Sequence, residues 1–291
     1  MNKPLVGLAL SGGGARGLAH IGVLKVLQRE AISIDCISGA SMGGVLAAAY
    51  AAGLAPAHLE AIALRMSSLR RLVRLVDLRR PRRGLLAGDK LRAFLAQYIP
   101  PELTFADLAL PLALEAVDLR TGEEVPLTRG SVLDAVLATS AFPGVLPPVV
   151  MDNRCLVDGG VLDNLPVSLV RGLGAERVIA VDVSADACPD DDWDPLRDNS
   201  PLPDFLEMML NAVGVMVVAR TRAKLQSDPP DVLVRPRLPH DIGTFSSFTR
   251  AAEIIALGEQ AAEQALLGYP LVIEPECLSV LSAEAQSCRA F

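Results

Sequence analysis

Ser41 lies in Gly39-Ala40-Ser41-Met42-Gly43, a Gly-x-Ser-x-Gly run whose small residues permit a turn sharp enough to lift a hydroxyl clear of the chain. A serine presented in that way is suited to nucleophilic attack on an acyl carbon. Acyl transfer passes through a tetrahedral oxyanion, and Ser11-Gly12-Gly13-Gly14-Ala15-Arg16-Gly17 offers consecutive glycines whose N–H groups can converge on one point without side-chain obstruction. Two rival chemistries could use such a loop. A triphosphate site is disfavoured because Gly-x-x-x-x-Gly-Lys-Ser/Thr is absent and Leu18 and Ala19 supply neither a lysine nor a magnesium ligand. Gly12-x-Gly14-x-x-Gly17 does satisfy the dinucleotide pattern, but that reading leaves the serine turn unexplained. A third segment, Asp158-Gly159-Gly160, carries a carboxylate; taken alone, an Asp before two glycines is most often a turn residue.

The surrounding pattern places all three segments at the ends of regular elements. Val6-Gly7-Leu8-Ala9-Leu10 is a short apolar run ending in glycines, as expected of a buried parallel strand, and Leu18, Ile21, Leu24 and Leu27 follow at helical spacing. Asp35 to Ser38 predicts a second strand, the serine turn closes it, and the Ala-rich stretch Val45 to Ala52 predicts a helix. Two strand-turn-helix units in succession indicate an α/β fold with a largely parallel sheet. Further strands are expected at Pro111 to Val117, at Cys155 to Val157 leading into Asp158, and at Arg177 to Val183. Helices are expected over residues 56–99, Ser131 to Thr139, Pro203 to Gln226 and Thr249 to Leu267, with an exposed loop between Ala185 and Pro201.

Composition supports one well-packed unit. Apolar residues make up 51% of 291 and charged residues 21%, enough for a large core, and no Ser-, Gly- or Pro-rich linker divides the chain; residues 1–275 read as a single domain and 276–291 as a tail of no legible role. A net charge of -7 argues against nucleic acid as a partner. The five cysteines are odd in number, widely spaced and lack a CxxC pair, so neither a disulfide framework nor a zinc site is expected, and a reducing cytoplasm is the simplest setting. The apolar run Leu5 to Leu10 is shorter than a signal-peptide core, and the long uncharged stretch after Ser33 is broken by glycines and Pro56, which rules it out as a membrane span.

The glycine loop with its Arg, the Gly-x-Ser-x-Gly turn and Asp-Gly-Gly, in that order, resemble the patatin-like phospholipase family, especially short bacterial members related to the neuropathy-target-esterase group. The likeness extends through Ser140-Ala141-Phe142-Pro143, Pro147-Pro148, Asn164-x-Pro166 and the strand Val178 to Asp182, covering roughly residues 5 to 185. It implies a three-layer α/β/α patatin-like fold around a central, mostly parallel sheet. It also implies a Ser-Asp dyad of Ser41 and Asp158 and an oxyanion hole drawn from Gly12, Gly13, Gly14, Ala15 and Arg16. The Met42 amide joins that hole at the helix start, and Gly39, Gly43, Gly159 and Gly160 support the motifs. The reaction implied is calcium-independent, with no metal or other cofactor; Asp190-Asp191-Asp192 reads as a solvated turn.

A Ser-acid-His triad is the competing arrangement, and of His20, His58 and His240 only His240 fits the chain order. Without a histidine the carboxylate must take the serine proton itself, so Asp158 should be shielded from water and close to Ser41. The expected substrate is a lipid or similar acyl ester; an acyltransferase, or an idle binding protein on the same fold, stays open. Ten basic residues between Arg65 and Arg92, against Asp77 and Asp89, give that segment about +8 and leave the rest near -15. With Leu69, Leu72 and Val73 interleaved, the segment suits peripheral contact with an anionic membrane, or simply a solvated basic helix packed on the core. Oligomeric state is not legible.

Overall fold

The computed structural model describes residues 4–75, 77, 85–184, 204–239, 241–244 and 246–267. In chain order the elements are β1 (Val6–Leu10), α1 (Ala19–Arg29), β2 (Cys36–Gly39), α2 (Ser41–Ala51), α3 (Pro56–Met66), α4 (Leu69–Leu75), α5 (Asp89–Leu95), β3 (Leu112–Asp118), β4 (Glu123–Leu127), α6 (Val132–Thr139), β5 (Val149–Met151), β6 (Arg154–Asp158), α7 (Val167–Gly172), β7 (Arg177–Val181), α8 (Asp204–Ser227), β8 (Val232–Val234) and α9 (Ala251–Leu266). The expected loop from Ala185 to Pro201 and the tail 276–291 lie outside the described residues.

Eight strands form one sheet in the order β5-β6-β3-β2-β1-β7-β8, with β4 paired to β3 off that path. The pairings among β3, β2, β1, β7 and β8 are parallel, and those of β3 with β4, β3 with β6 and β5 with β6 are antiparallel. β1 is central and wholly buried, as its uninterrupted apolar run requires. It is flanked by β2 on one edge and β7 on the other, so the chain order reverses there, the position at which open α/β sheets bind ligands beyond their carboxyl ends. Helices cover the sheet, and the main core joins β1, β2 and β3 to α1, α2, α6 and α9. The α1 to α9 contact is made by main chains: a Cβ on Gly22 would lie 2.1 Å from the Ile255 carbonyl, and one on Gly258 would lie 2.0 Å from that of Ala19.

β3 holds the arrangement on which the site depends. Its register sets Leu114 opposite Gly39 of β2 and Ala116 opposite Asp158 of β6, while β4 pairs continuously with Leu114 through Asp118. A strand has two edges, and β4 occupies one along that whole length. β2 and β6 therefore share the other, entering from opposite directions and ending tip to tip two residues apart in register.

Candidate active site

Ser41 stands at the tip of β2. One residue, Ala40, separates the strand from α2, and Ser41 adopts φ 52, the left-handed region a serine rarely enters. Packing enforces the turn. A Cβ on Gly43 would fall 2.4 Å from the Leu10 carbonyl oxygen and 2.5 Å from that of Ser11, so only glycine lets the start of α2 press onto the end of β1. The Ser41 amide donates to Thr139 Oγ1 (3.1 Å), whose hydroxyl in turn donates to the Glu115 carbonyl (2.5 Å), tying the turn to α6 and β3.

Asp158 stands at the tip of β6 and is 1% exposed. Its Oδ1 accepts the Gly160 amide at 2.8 Å, while no hydrogen bond of ordinary geometry closes on Oδ2. Burial pushes its carboxyl up to about 7, against the opposing pull of the Ser41 hydroxyl and the Gly160 amide. The two side chains are thus neighbours, and one oxygen of the carboxyl is open to a proton.

The glycine loop follows β1 and lies beside them: a Cβ on Gly12 would come within 2.9 Å of the Ser41 Cβ. The loop contributes fewer free donors than its sequence suggests. The Gly12 amide donates to the Asn164 carbonyl (3.0 Å), that of Ala15 to Thr244 (2.7 Å) and that of Arg16 to Gly13 (3.1 Å). Gly13 and Gly14 are left as the loop amides without a partner among the described residues, together with Met42 at the start of α2. The Arg16 side chain latches the loop, since Nε and a terminal nitrogen donate to the Val183 and Ile242 carbonyls (3.0 and 3.3 Å). Gly14 turns at φ 53, where a side chain would also strike the Thr244 carbonyl.

The described histidines do not complete a triad. His20 is fully buried with Nε2 2.8 Å from the Ser11 carbonyl, an atom that only accepts, so Nε2 carries the hydrogen; burial lowers its pKa to about 4 and it stays neutral. His58 is exposed on α3, and His240 lies outside the described residues. Asn164, part of the Asn164-x-Pro166 stretch of the resemblance, borders the site together with Thr139 and a buried carboxyl group at Glu115, neither of which any motif nominates; a helix-end threonine and a mid-strand glutamate carry no local signature of such a role. Among the described residues, Glu115, Glu124 and Asp163 are the one group of carboxylates close enough to hold an ion, and Lys224 Nζ bonds to two of them, Asp163 Oδ2 at 2.6 Å and Glu124 Oε2 at 2.8 Å. Cys36 and Cys155 are free thiols.

A family model described as patatin-like phospholipase matches residues 8–171. An uncharacterized NTE family protein of Mycobacterium tuberculosis is 37% identical over 197 residues, 67% of this chain and 53% of that protein. The fungal lysophospholipase NTE1 of Pyricularia oryzae is 31% identical over 276 residues, 87% of this chain and 18% of its own length. The chain thus spans about half the length of the mycobacterial relative and under a fifth of the fungal one. Among solved structures, VipD from Legionella pneumophila superposes with a TM-score of 0.60 at 15% identity, covering 91% of this chain and 67% of that one, a likeness of fold.

Proposed function

Because the chain belongs to the patatin-like phospholipase family, we propose that it is a serine acyl hydrolase cleaving lipid ester bonds through an acyl-Ser41 intermediate, with Asp158 as base. The observation that carries this reading is the convergence of β2 and β6 on one edge of β3, which sets a strained serine and a buried carboxyl side by side, near the Gly13, Gly14 and Met42 amides that have no partner among the described residues. In the first half-reaction Ser41 Oγ bonds to the acyl carbon and its proton passes to Asp158 Oδ2. The carbonyl oxygen becomes an oxyanion held by the amides of Gly13, Gly14 and Met42. Collapse expels the alcohol, which leaves with the proton from Asp158; water then repeats the sequence and frees the acid. On this reading the hole draws on Gly13, Gly14 and Met42 in particular, because the Gly12, Ala15 and Arg16 amides donate to main-chain carbonyls.

A fluorophosphonate probe, mapped to its residue and run beside a short- to long-chain ester panel, tests the assignment. Modification of Ser41, with hydrolysis abolished in Ser41→Ala and nearly so in Asp158→Asn, is the expected result. Labelling elsewhere, or activity retained in either variant, removes the dyad.

The lipid side of the molecule is assigned to the basic segment. α3, α4 and α5 line an open cleft of about 480 Å³ in which Arg65, Arg71, Arg74 and Lys90 face Met66 and Phe94. Beside it Leu69 and Val73 of α4 are 70% and 59% exposed, an apolar strip edged with cations as at an anionic membrane surface. Arg79, Arg80, Arg82 and Arg83 lie outside the described residues, and among those described no helix is long and apolar enough to cross a membrane. Changing Arg70, Arg71 and Arg74 together to Glu should abolish co-sedimentation with phosphatidylglycerol vesicles and make no difference with phosphatidylcholine vesicles. Equal binding by variant and wild type defeats the membrane contact.

A further inference from the structure

The turn that begins at Asp158 is gripped from three directions. Past its end, the Gly12 amide and Asn164 carbonyl pair at 3.0 Å and Asn164 Nδ2 reaches back to the Gly12 carbonyl at 3.4 Å, stitching it to the glycine loop. Beneath it, a Cβ on Gly159 would lie 2.3 Å from the Glu115 carbonyl oxygen and 2.7 Å from the Glu115 Cβ, so the turn rests on β3. From α8, Arg220 Nε donates to the Leu162 carbonyl, and the Lys224 ammonium sits between Asp163 Oδ2 (2.6 Å) and Glu124 Oε2 (2.8 Å).

The carboxyl oxygens of Glu115, Glu124 and Asp163 approach within 4.8 Å of one another, with Glu115 1% and Asp163 2% exposed. Such a group cannot be fully ionised without compensation. Burial, reinforced by Asp163 and Glu124, pushes Glu115 up to about 8, so it is neutral at pH 7. The two remaining negative charges meet Lys224 and Arg220, the latter 3.0 Å from Glu124. Burial works against the Lys224 charge, but the bonds to Asp163 and Glu124 outweigh it and the ammonium stays protonated. The cluster is balanced by two cations of the chain itself, and no step of the acyl transfer uses it.

We propose that Lys224 is a positioning residue for Asp158, a role that rests on the hydrolase reading above. By drawing Asp163 into the interior it fixes the turn, which is closed by the Leu162 and Asp163 amides on the Gly159 carbonyl (3.0 and 2.9 Å). That closure keeps Asp158 Oδ2 away from water and beside Ser41. Asp158 itself is faced by the Ser41 hydroxyl from α2 and the Gly160 amide from its own turn; the titratable groups of the adjoining cluster are Glu115 of β3, neutral at pH 7, and the charged Glu124 of β4, Asp163, and Arg220 and Lys224 of α8.

Lys224→Met and Lys224→Arg, assayed on a soluble ester beside wild type and Ser41→Ala, test this. In Lys224→Met, kcat should fall about tenfold with KM within about twofold, because the base is misplaced rather than the substrate lost. The acid limb of kcat/KM should move by about one unit to lower pH, because water reaching Asp158 relieves the burial that raises it. Lys224→Arg should recover most of kcat. A folded Lys224→Met with wild-type kcat and an unmoved limb overturns the proposal, as does an Arg variant no better than Met. Activity of the wild type that depends on added divalent cation and is lost on chelation assigns the carboxylates to a metal and also overturns it. If the wild type hydrolyses nothing, or Ser41→Ala matches it, the hydrolase reading falls instead.

Discussion

Aspartate in water titrates near 4 and is a poor base for a hydroxyl; at position 158 burial carries the group to about 7 and removes much of the mismatch. On the proposed mechanism the same shift sets a limit in acid. kcat/KM should decline about tenfold per pH unit below about 7, and a profile flat to pH 5 would contradict Asp158 as base. A stability consequence follows with a definite sign. The folded pKa lies above the unfolded one, so the favourable contribution of the neutral form is complete in acid and is lost as pH rises through about 7. Asp158→Asn, which cannot ionise, should be more stable than wild type by ~2 kcal/mol at pH 8.5 and by much less at pH 4, read from urea unfolding at each pH. Ser41 and Asp158 stood out as candidates in the chain because glycines punctuate them. Glu115, Asp163 and Lys224 did not: their meaning arises from contacts among residues far apart in the chain, and none sits in a motif that its neighbours would betray.

Among the elements, α6 matters more than its length suggests. Its last residue, Thr139, is fully buried and bridges the Ser41 amide to the Glu115 carbonyl, so three elements meet at one hydroxyl. Thr139→Val keeps the shape and strands both partners; it should cost ~2 kcal/mol in thermal or chemical unfolding and lower kcat, whereas Thr139→Ser should cost less. The Ser131 cap and apolar spacing made α6 readable, and β1, β2, β3, β6, β7, α8 and α9 were likewise near their expected places. The missed strands were β4, β5 and β8. β5 and β8 have three residues each, and β4 carries two glutamates and Pro126 on a sheet edge, so neither alternation nor an apolar run marks them.

For the whole molecule, the region that matches the family model stops at residue 171, yet the fold does not. β7 occupies the second edge of β1 from Arg177 to Val181, and α9 lies against α1 main chain to main chain at Gly22 and Gly258. A fragment ending at residue 171 should therefore fail to give a cooperative unfolding transition by circular dichroism. Gly258→Val in the full chain should lose more than about 3 kcal/mol, while Gln260→Ala, exposed on the same helix, should stay within about 0.5 kcal/mol of wild type. The α/β plan with its largely parallel sheet was visible in the alternation of strands and helices, and its three layers in what the family resemblance implied. The antiparallel arm was not, because nothing local tells a strand which way its partner runs.

That arm decides where chain length can vary. Side chains on a strand alternate faces, so deleting one residue anywhere from Arg154 to Val157 would carry the carboxyl to the wrong side of the sheet while leaving the chain otherwise intact, and would abolish the proposed hydrolysis. Lengthening the β5 to β6 reversal at Asp152 and Asn153, whose positive φ values mark a tight turn, would leave the meeting point untouched. Natural variation and grafting can thus be generous at the hairpin tip and must be strict one strand later.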